Sequence, residues 1–155
     1  FIGVEVHKPG VGRLMNEAKK VGVTNLRVIC EDAVEVLSGG FSPQSLEGVQ
    51  IYFPDPWHKK RHHKRRIVQP DFISLLARRV RLGGFCHFAT DWAPYAESMV
   101  EMFSQNVAWY NTSEAGDFVM RPERRPITKF EVRGERLGHA VFDLLYHRQA
   151  SDKHL

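Results

Sequence analysis

The chain has few cysteines and no long apolar run. Its two cysteines, Cys30 and Cys86, lie in apolar stretches and form no Cys-x-x-Cys motif. This favours buried thiols in a reducing compartment over a disulfide or a zinc site. No apolar run approaches the roughly 20 residues that span a bilayer, and no signal-peptide pattern opens the chain. These absences predict a soluble, cytoplasmic protein that binds neither a metal nor a membrane.

The chain also has no internal repeat, low-complexity tract or linker. Its 155 residues, of which 43% are hydrophobic and 26% charged, are typical of a globular domain with one sizeable core. We therefore expect a single domain over residues 1–155. Because the chain begins at Phe1, without Met, in what reads as a core strand, we also expect that its N-terminal segment is missing. The sequence favours neither a monomer nor a homodimer.

The excess of positive charge comes from one segment. The chain has 22 Lys and Arg against 18 Asp and Glu, for a formal charge of +4. Residues 58–66 have only basic side chains and hold six of the 22 Lys and Arg, so the remaining 16 are outnumbered by the 18 acids. A short cationic run of this kind predicts a polyanionic partner. A solvated surface or a targeting signal is the alternative interpretation.

Strand-like and helix-like patterns alternate four times along the chain. Apolar runs that predict strands end near residues 6, 30, 53 and 90, and helical patterns lie between them. Crossovers of this length between successive strands predict parallel pairing. The predicted fold class is α/β, with a doubly wound, mostly parallel sheet and helices on both faces. For the tail, the pattern predicts a helix over residues 128–135 and a strand over 140–146.

An acid lies at or just past the end of each of the four predicted strands; these are Glu5, Asp32, Asp55 and Asp91. The carboxyl ends of parallel strands share one edge, where ligands bind, so we expect the four carboxylates at the same edge. Glu5 is the candidate for binding the ribose hydroxyls of a nucleoside cofactor, with Asp32 near the base. The alternative is that each acid caps the helix after it, and for Asp32 taken alone this interpretation is favoured.

The most specific segment is Pro54-Asp55-Pro56-Trp57, and the cationic run follows it at once. The two prolines fix the backbone around Asp55. A looped-out base needs a stacking surface, an acceptor for its edge and cations for its phosphates. Trp57, Asp55 and the run supply all three, so we interpret residues 58–66 as a phosphate-contact loop. A rigid turn with a packed tryptophan is the alternative.

This segment and three others carry a family resemblance. The chain closely resembles the bacterial tRNA (guanine-N7-)-methyltransferases over nearly its whole length, with the motifs in the same order. The matching segments are residues 3–12, residues 52–66, Thr90-Asp91-Trp92 and Thr128-Lys129-Phe130-Glu131. The resemblance implies a Rossmann-like class I methyltransferase fold, S-adenosyl-L-methionine as the cofactor, and methylation of a guanine at N7 in the variable loop of tRNA.

The resemblance also implies roles for individual residues. Glu5 and Asp32 would hold the ribose and the adenine of the cofactor, and Asp55 would be the catalytic residue, an active-site carboxylate also near the cofactor. The implied substrate-binding residues are Lys59, Asp91, Thr128, Lys129, Phe130 and Glu131. The implied RNA-contact residues are Arg61, His62, His63, Lys64, Arg65 and Arg66. Thr128 and Glu131 also have the spacing of a helix capping box, which is the alternative for that pair.

One feature of the family has no counterpart in this sequence. The family has a first strand, followed by a Glu and a Gly-rich turn, just before the position of Phe1, and the turn approaches the methionine part of the cofactor. We therefore expect this chain to lack one wall of the cofactor pocket and to bind S-adenosyl-L-methionine poorly. The alternatives are a methyltransferase of the same fold that acts on another nucleic-acid base, and a non-catalytic RNA-binding module. A dehydrogenase is disfavoured by the Pro-Asp-Pro-Trp segment.

Overall fold

The computed structural model describes residues 1–150. The last five residues of the predicted domain, and the side chain of Glu135, lie outside the described part. The chain divides into two compact units, Phe1–Phe41 and Ser42–Leu155. The single domain over residues 1–155 stays a prediction.

The first unit contains two parallel strands, each followed by a helix. Its elements are β1 (Ile2–Val4), α1 (Lys8–Lys20), β2 (Arg27–Ile29) and α2 (Ala33–Gly39). The two strands pair with Val4 opposite Ile29. α1 begins after His7, whose ring Nδ1 accepts a hydrogen bond of 3.2 Å from the Gly10 amide. Pro9 lies in the first turn of α1, where its missing amide hydrogen leaves no helical bond unmade.

The second unit contains a four-stranded mixed sheet. Its elements are β3 (Leu46–Tyr52), a 3₁₀ helix (Lys60–Arg65), α3 (Pro70–Arg79), β4 (Val80–Thr90), α4 (Ala93–Ser104), β5 (Trp109–Asn111), α5 (Lys129–Glu135) and β6 (Phe142–Arg148). The strand order is β3-β4-β6-β5. β3 and β4 are parallel, whereas β6 is antiparallel to both β4 and β5.

The core of the second unit lies between the sheet and helices α3 and α4. It is built from apolar side chains that are almost fully buried, chiefly Phe72, Ile73, Leu76, Phe88, Tyr95, Met99, Phe103, Leu144 and Tyr146. Removing this apolar surface from water is the main stabilising contribution. Gly48 is required where β3 meets β4, because a Cβ there would lie 2.5 Å from the ring of Phe85. The register between the two strands shifts at this point.

The predicted alternation of strands and helices is confirmed, and so is parallel pairing for β1 with β2 and for β3 with β4. Within residues 1–150, however, the strands form two hydrogen-bonded sheets, where the sequence predicted one. The short strand β5 and the 3₁₀ helix were not predicted. No helix in this described range has both the length and the apolar composition needed to cross a bilayer.

Candidate active site

In the first unit, Glu5 and Asp32 both follow the carboxyl ends of paired parallel strands. The Glu5 amide donates to the Ile29 carbonyl at 3.1 Å, so Glu5 continues the pairing of β1 with β2. Glu5 Oε1 accepts a hydrogen bond of 2.8 Å from the His7 amide. Its second oxygen has no partner among the described residues. An exposed carboxylate with a free oxygen fits the hydroxyls of a ribose, which are hydrogen-bond donors.

Asp32 is the N-cap of α2. Its Oδ1 accepts hydrogen bonds from the amides of Val34 at 2.8 Å and Glu35 at 3.2 Å. The capping interpretation of Asp32 is therefore confirmed. Oδ2 has no partner among the described residues, so one acceptor remains that fits the amino group of an adenine.

In the second unit, Asp55 and Asp91 follow the adjacent parallel strands β3 and β4. Tyr52 lies opposite Ala89, and the Phe53 amide donates to the Ala89 carbonyl at 2.7 Å, so both strands end at the same edge. The backbone then turns sharply. Phe53 has φ of 52° and Trp57 has φ of 43°, a conformation that bulky residues rarely adopt. Strain of this kind persists only where the surrounding contacts enforce it.

Two contacts hold the turn of residues 54–57. Asp55 is exposed, and its Oδ1 accepts a hydrogen bond of 3.1 Å from the Trp57 amide. From the other side, Arg66 Nε donates to the Pro56 carbonyl at 2.7 Å. The Arg66 guanidinium lies 4.5 Å from the centre of the Tyr95 ring. The segment is therefore a rigid turn whose one acidic group faces solvent.

Arg66 differs from the rest of the cationic run because it is buried, with 5% of its surface exposed. Burial lowers the pKa of Arg66, which the nearby Tyr95 partly offsets. Burial likewise raises the pKa of Tyr95 to about 12. The Arg66 guanidinium supports the turn from inside the unit, so the predicted contact between Arg66 and RNA would require this support to open.

Aromatic rings lie beside several other basic side chains of the run. The Arg65 guanidinium lies 4.9 Å from the centre of the Trp57 ring, and the His62 ring meets the same indole edge-on at 5.8 Å. The His58 ring meets the Trp92 ring edge-on at 4.3 Å. The exposed cations are Lys59, Lys60, Arg61, Lys64 and Arg65, none of which is paired with an acid in the described part of the chain. Unpaired cations beside aromatic rings suit nucleotide phosphates and bases.

Asp91 lies at the same edge and is partly buried. Its Oδ2 is 3.9 Å from His139 Nδ1, in the loop that follows α5. Across residues 1–150, no three His, Cys, Asp or Glu side chains form a group that could hold a metal ion.

The segment of residues 128–131 forms the start of α5, and its capping box is confirmed. Thr128 Oγ1 accepts from the Glu131 amide at 3.1 Å, and Glu131 Oε2 accepts from the Thr128 amide at 3.3 Å. Lys129 and Phe130 are exposed. The Phe130 ring lies 5.0 Å from that of Phe53, so α5 begins directly beside the turn that carries Asp55.

The sequence did not indicate a polar group behind this edge, which consists of the partly buried Tyr52 and the buried His87, Arg125 and Asp143. Arg125 binds two carboxylates, those of Glu131 and Asp143. These hydrogen bonds from Arg125 hold the pKa of Glu131 below its usual value. Burial alone would raise the pKa of Asp143, but hydrogen bonds from His87 and Arg125 hold it below its usual value. The only feature of the sequence that could have indicated this polar group is Arg125, a cation just ahead of the capping box of Thr128 and Glu131.

The fold is similar to that of solved methyltransferases. An rRNA methylase from Streptococcus thermophilus superimposes with a TM-score of 0.61 at 11% identity, over 96% of this chain and 73% of that one. A "putative methyltransferase" from Streptococcus mutans, solved in complex with SAH, gives a TM-score of 0.56 at 8% identity, over 95% and 74%. The chain therefore has the Rossmann-like α/β fold of the class I methyltransferases.

A family model described as "Putative methyltransferase" matches residues 1–144, and the chain belongs to this family. It is 57% identical to the tRNA (guanine-N(7)-)-methyltransferase of Shewanella amazonensis over 148 residues, which is 96% of this chain and 62% of that protein. The resemblance stated from the motifs is thus confirmed. The chain spans about three fifths of the length of this relative.

Proposed function

We propose that the protein transfers a methyl group from S-adenosyl-L-methionine to N7 of a guanine in the variable loop of tRNA, in the cytoplasm. The observation that carries the proposal is the turn at Asp55, an exposed carboxylate held rigidly beside aromatic rings and unpaired cations. The names of the relatives support guanine N7 as the acceptor.

Glu5 and Asp32 would hold the cofactor. Each has a carboxylate oxygen without a partner among the described residues, and each follows one of two paired parallel strands. Glu5 would accept from the ribose hydroxyls and Asp32 from the adenine amino group. When bound, S-adenosyl-L-methionine supplies an electrophilic methyl group.

Asp55 would act on the guanine by charge and position. N7 of guanine has a lone pair and no proton, so no general base is needed to expose the nucleophile. The purine becomes cationic as the methyl group is added, and a fixed carboxylate stabilises that charge. By accepting from the guanine N1–H or amino group, Asp55 would also orient the base, and orientation is the larger contribution.

The side chains that follow β3 and β4, with those at the start of α5, would bind the nucleotide. Arg61, Lys64 and Arg65 would contact phosphates, with His62 and His63 beside them, and Lys59 and Asp91 would fix the nucleotide. The rings of Trp57 and Phe130 would offer stacking surfaces. Thr128 and Glu131 are occupied by the capping box, so their proposed contribution is to hold Lys129 and Phe130 at the edge.

Product analysis tests the proposed reaction. The complete protein is incubated with unmodified tRNA and labelled S-adenosyl-L-methionine, and the digested tRNA is analysed by mass spectrometry. We expect 7-methylguanosine in the variable loop. A different methylated base would indicate a methyltransferase of the same fold with another target, and tRNA binding without methylation would indicate an RNA-binding module.

Neutralising the exposed cations is expected to weaken tRNA binding and to reduce its dependence on salt. In the triple variant Arg61→Gln, Lys64→Gln, Arg65→Gln, the slope of log K against log salt should become shallower by up to about 0.9 for each phosphate that the protein no longer neutralises. Binding isotherms at several salt concentrations measure it. The control is Arg13→Gln, Lys19→Gln, Arg78→Gln, which removes the same charge from exposed positions elsewhere. An unchanged slope in the first variant would exclude the run from RNA contact.

A further inference from the structure

A chain of hydrogen-bonded polar groups, partly buried at Tyr52 and fully buried beyond it, runs beneath the edge that carries Asp55. The Tyr52 hydroxyl and His87 Nδ1 are 3.0 Å apart, and His87 Nε2 is 2.7 Å from Asp143 Oδ1. Arg125 joins Asp143 to Glu131. The chain thus connects β3, β4 and β6 with the start of α5.

Arg125 is the centre of this chain, with 1% of its surface exposed. Nε and one terminal nitrogen donate to the two Asp143 oxygens at 2.7 and 2.9 Å. The two terminal nitrogens donate to the two Glu131 oxygens at 2.7 Å each. One guanidinium therefore holds two carboxylates in paired, planar geometry, which Lys cannot reproduce.

These contacts fix two parts of the edge at once. Glu131 is tied to β6 through Arg125, so the start of α5 cannot move independently of the sheet. The Arg125 guanidinium also lies 5.8 Å from the Tyr52 ring and 6.0 Å from the Phe53 ring, where β3 ends and the Asp55 turn begins. The exposed Phe130 ring packs on the Phe53 ring, which gives a second contact between α5 and the end of β3.

We propose that Arg125 is a positioning residue, which sets the Asp55 turn and residues 128–131 in the relative geometry that one bound guanine requires. Glu131 then acts through Arg125, because both of its oxygens are occupied and do not reach a substrate. This inference rests on the proposed function for the guanine, but the coupling of the turn to α5 through Arg125 is a property of the protein alone. A misplacement of about 1 Å in such a site can cost on the order of a hundredfold in rate.

The test is Arg125→Lys in the complete protein, which keeps the charge and removes the double bridge. We expect kcat for tRNA methylation to fall about tenfold to hundredfold, with the Kd for tRNA changed less than about threefold because the exposed cations that bind phosphates remain. We also expect faster hydrogen exchange at the amides of Asp55, Trp57 and residues 129–132. Glu131→Gln keeps the shape of the side chain and removes one charge. It should also lower kcat and speed hydrogen exchange at these amides, so it replaces Arg125→Lys as the test if that variant does not fold.

Leu144→Ala is the matched control, a cavity variant one residue along β6 from Asp143 that is compared at equal fractions of folded protein. It should keep the parental kcat per folded molecule and the parental exchange in the two segments. Equal behaviour of Arg125→Lys and Leu144→Ala would overturn the proposal and leave Arg125 a merely structural residue. If the parental protein forms no 7-methylguanosine, the proposed function fails, and the exchange measurement still decides whether Arg125 couples the two segments.

Discussion

Replacing Asp55 by Asn in the complete protein is expected to lower kcat for tRNA methylation by about 100- to 1,000-fold, the usual effect of removing one preorganised electrostatic group from an active site. The reason is that the carboxylate offsets the positive charge that develops on the guanine, and an amide cannot. Asn keeps an oxygen that can accept from the Trp57 amide, so the turn is preserved and the charge is what changes. Affinity for tRNA should change little, because the exposed cations are untouched.

Single-turnover kinetics at saturating tRNA measure this effect directly. Asp71→Asn is the control, since it makes the same chemical change at an exposed acid in the first turn of α3. Full turnover in the Asp55 variant would show that this carboxylate has no part in the reaction. A similar loss in both variants would point to a general effect of charge instead.

Replacing Asp143 by Ala is expected to destabilise the second unit by about 3 to 5 kcal/mol, because it leaves the charge of Arg125 and the ring of His87 buried with one partner fewer. Urea denaturation measures the free energy of unfolding. The control is Glu47→Ala, which breaks the exposed ion pair with Arg81 and should cost about 1 kcal/mol or less. Equal losses in the two variants would mean that the buried chain contributes no more than a surface pair.

The same buried pairs predict acid sensitivity. The pKa values of Asp143 and Glu131 are lowered in the folded protein, so their contribution to stability is present above the pKa of the unfolded chain. It is lost as the pH falls from about 4, the ordinary range of these carboxyls, through the lowered folded values. The parental protein should therefore lose stability steeply below that pH, and Asp143→Ala should lose less over the same interval.

The sequence predicted the alternating strands and helices because each of them has a local pattern of apolar residues. The helical stripe after Pro70 and the apolar run up to Thr90 each require only neighbouring residues to recognise. β5 has three residues, too few for a periodic pattern, and it forms because Trp109 can pair with Arg148 of β6. The 3₁₀ helix over the cationic run was missed because Lys and Arg in series give no apolar periodicity.

In the candidate site, too, the sequence predicted only the features that neighbouring residues reveal. Asp55 could be singled out because prolines and cations flank it in sequence. The burial of Arg66 could not, since its neighbour Arg65 is chemically identical and exposed. Arg125 illustrates the point further, because its partner Asp143 lies 18 residues away on a strand whose register only the folded structure reveals.

RNA is expected to bind at the turn of residues 54–57 and at the cations that follow it. Ultraviolet crosslinking of unmodified tRNA to the complete protein, with the crosslinked residues and nucleotides mapped by mass spectrometry, tests this most directly. Crosslinks should join the variable loop of tRNA to Trp57, His58, His62 or Phe130. Crosslinks confined to other surfaces, such as α1 or the β5 edge, would contradict it.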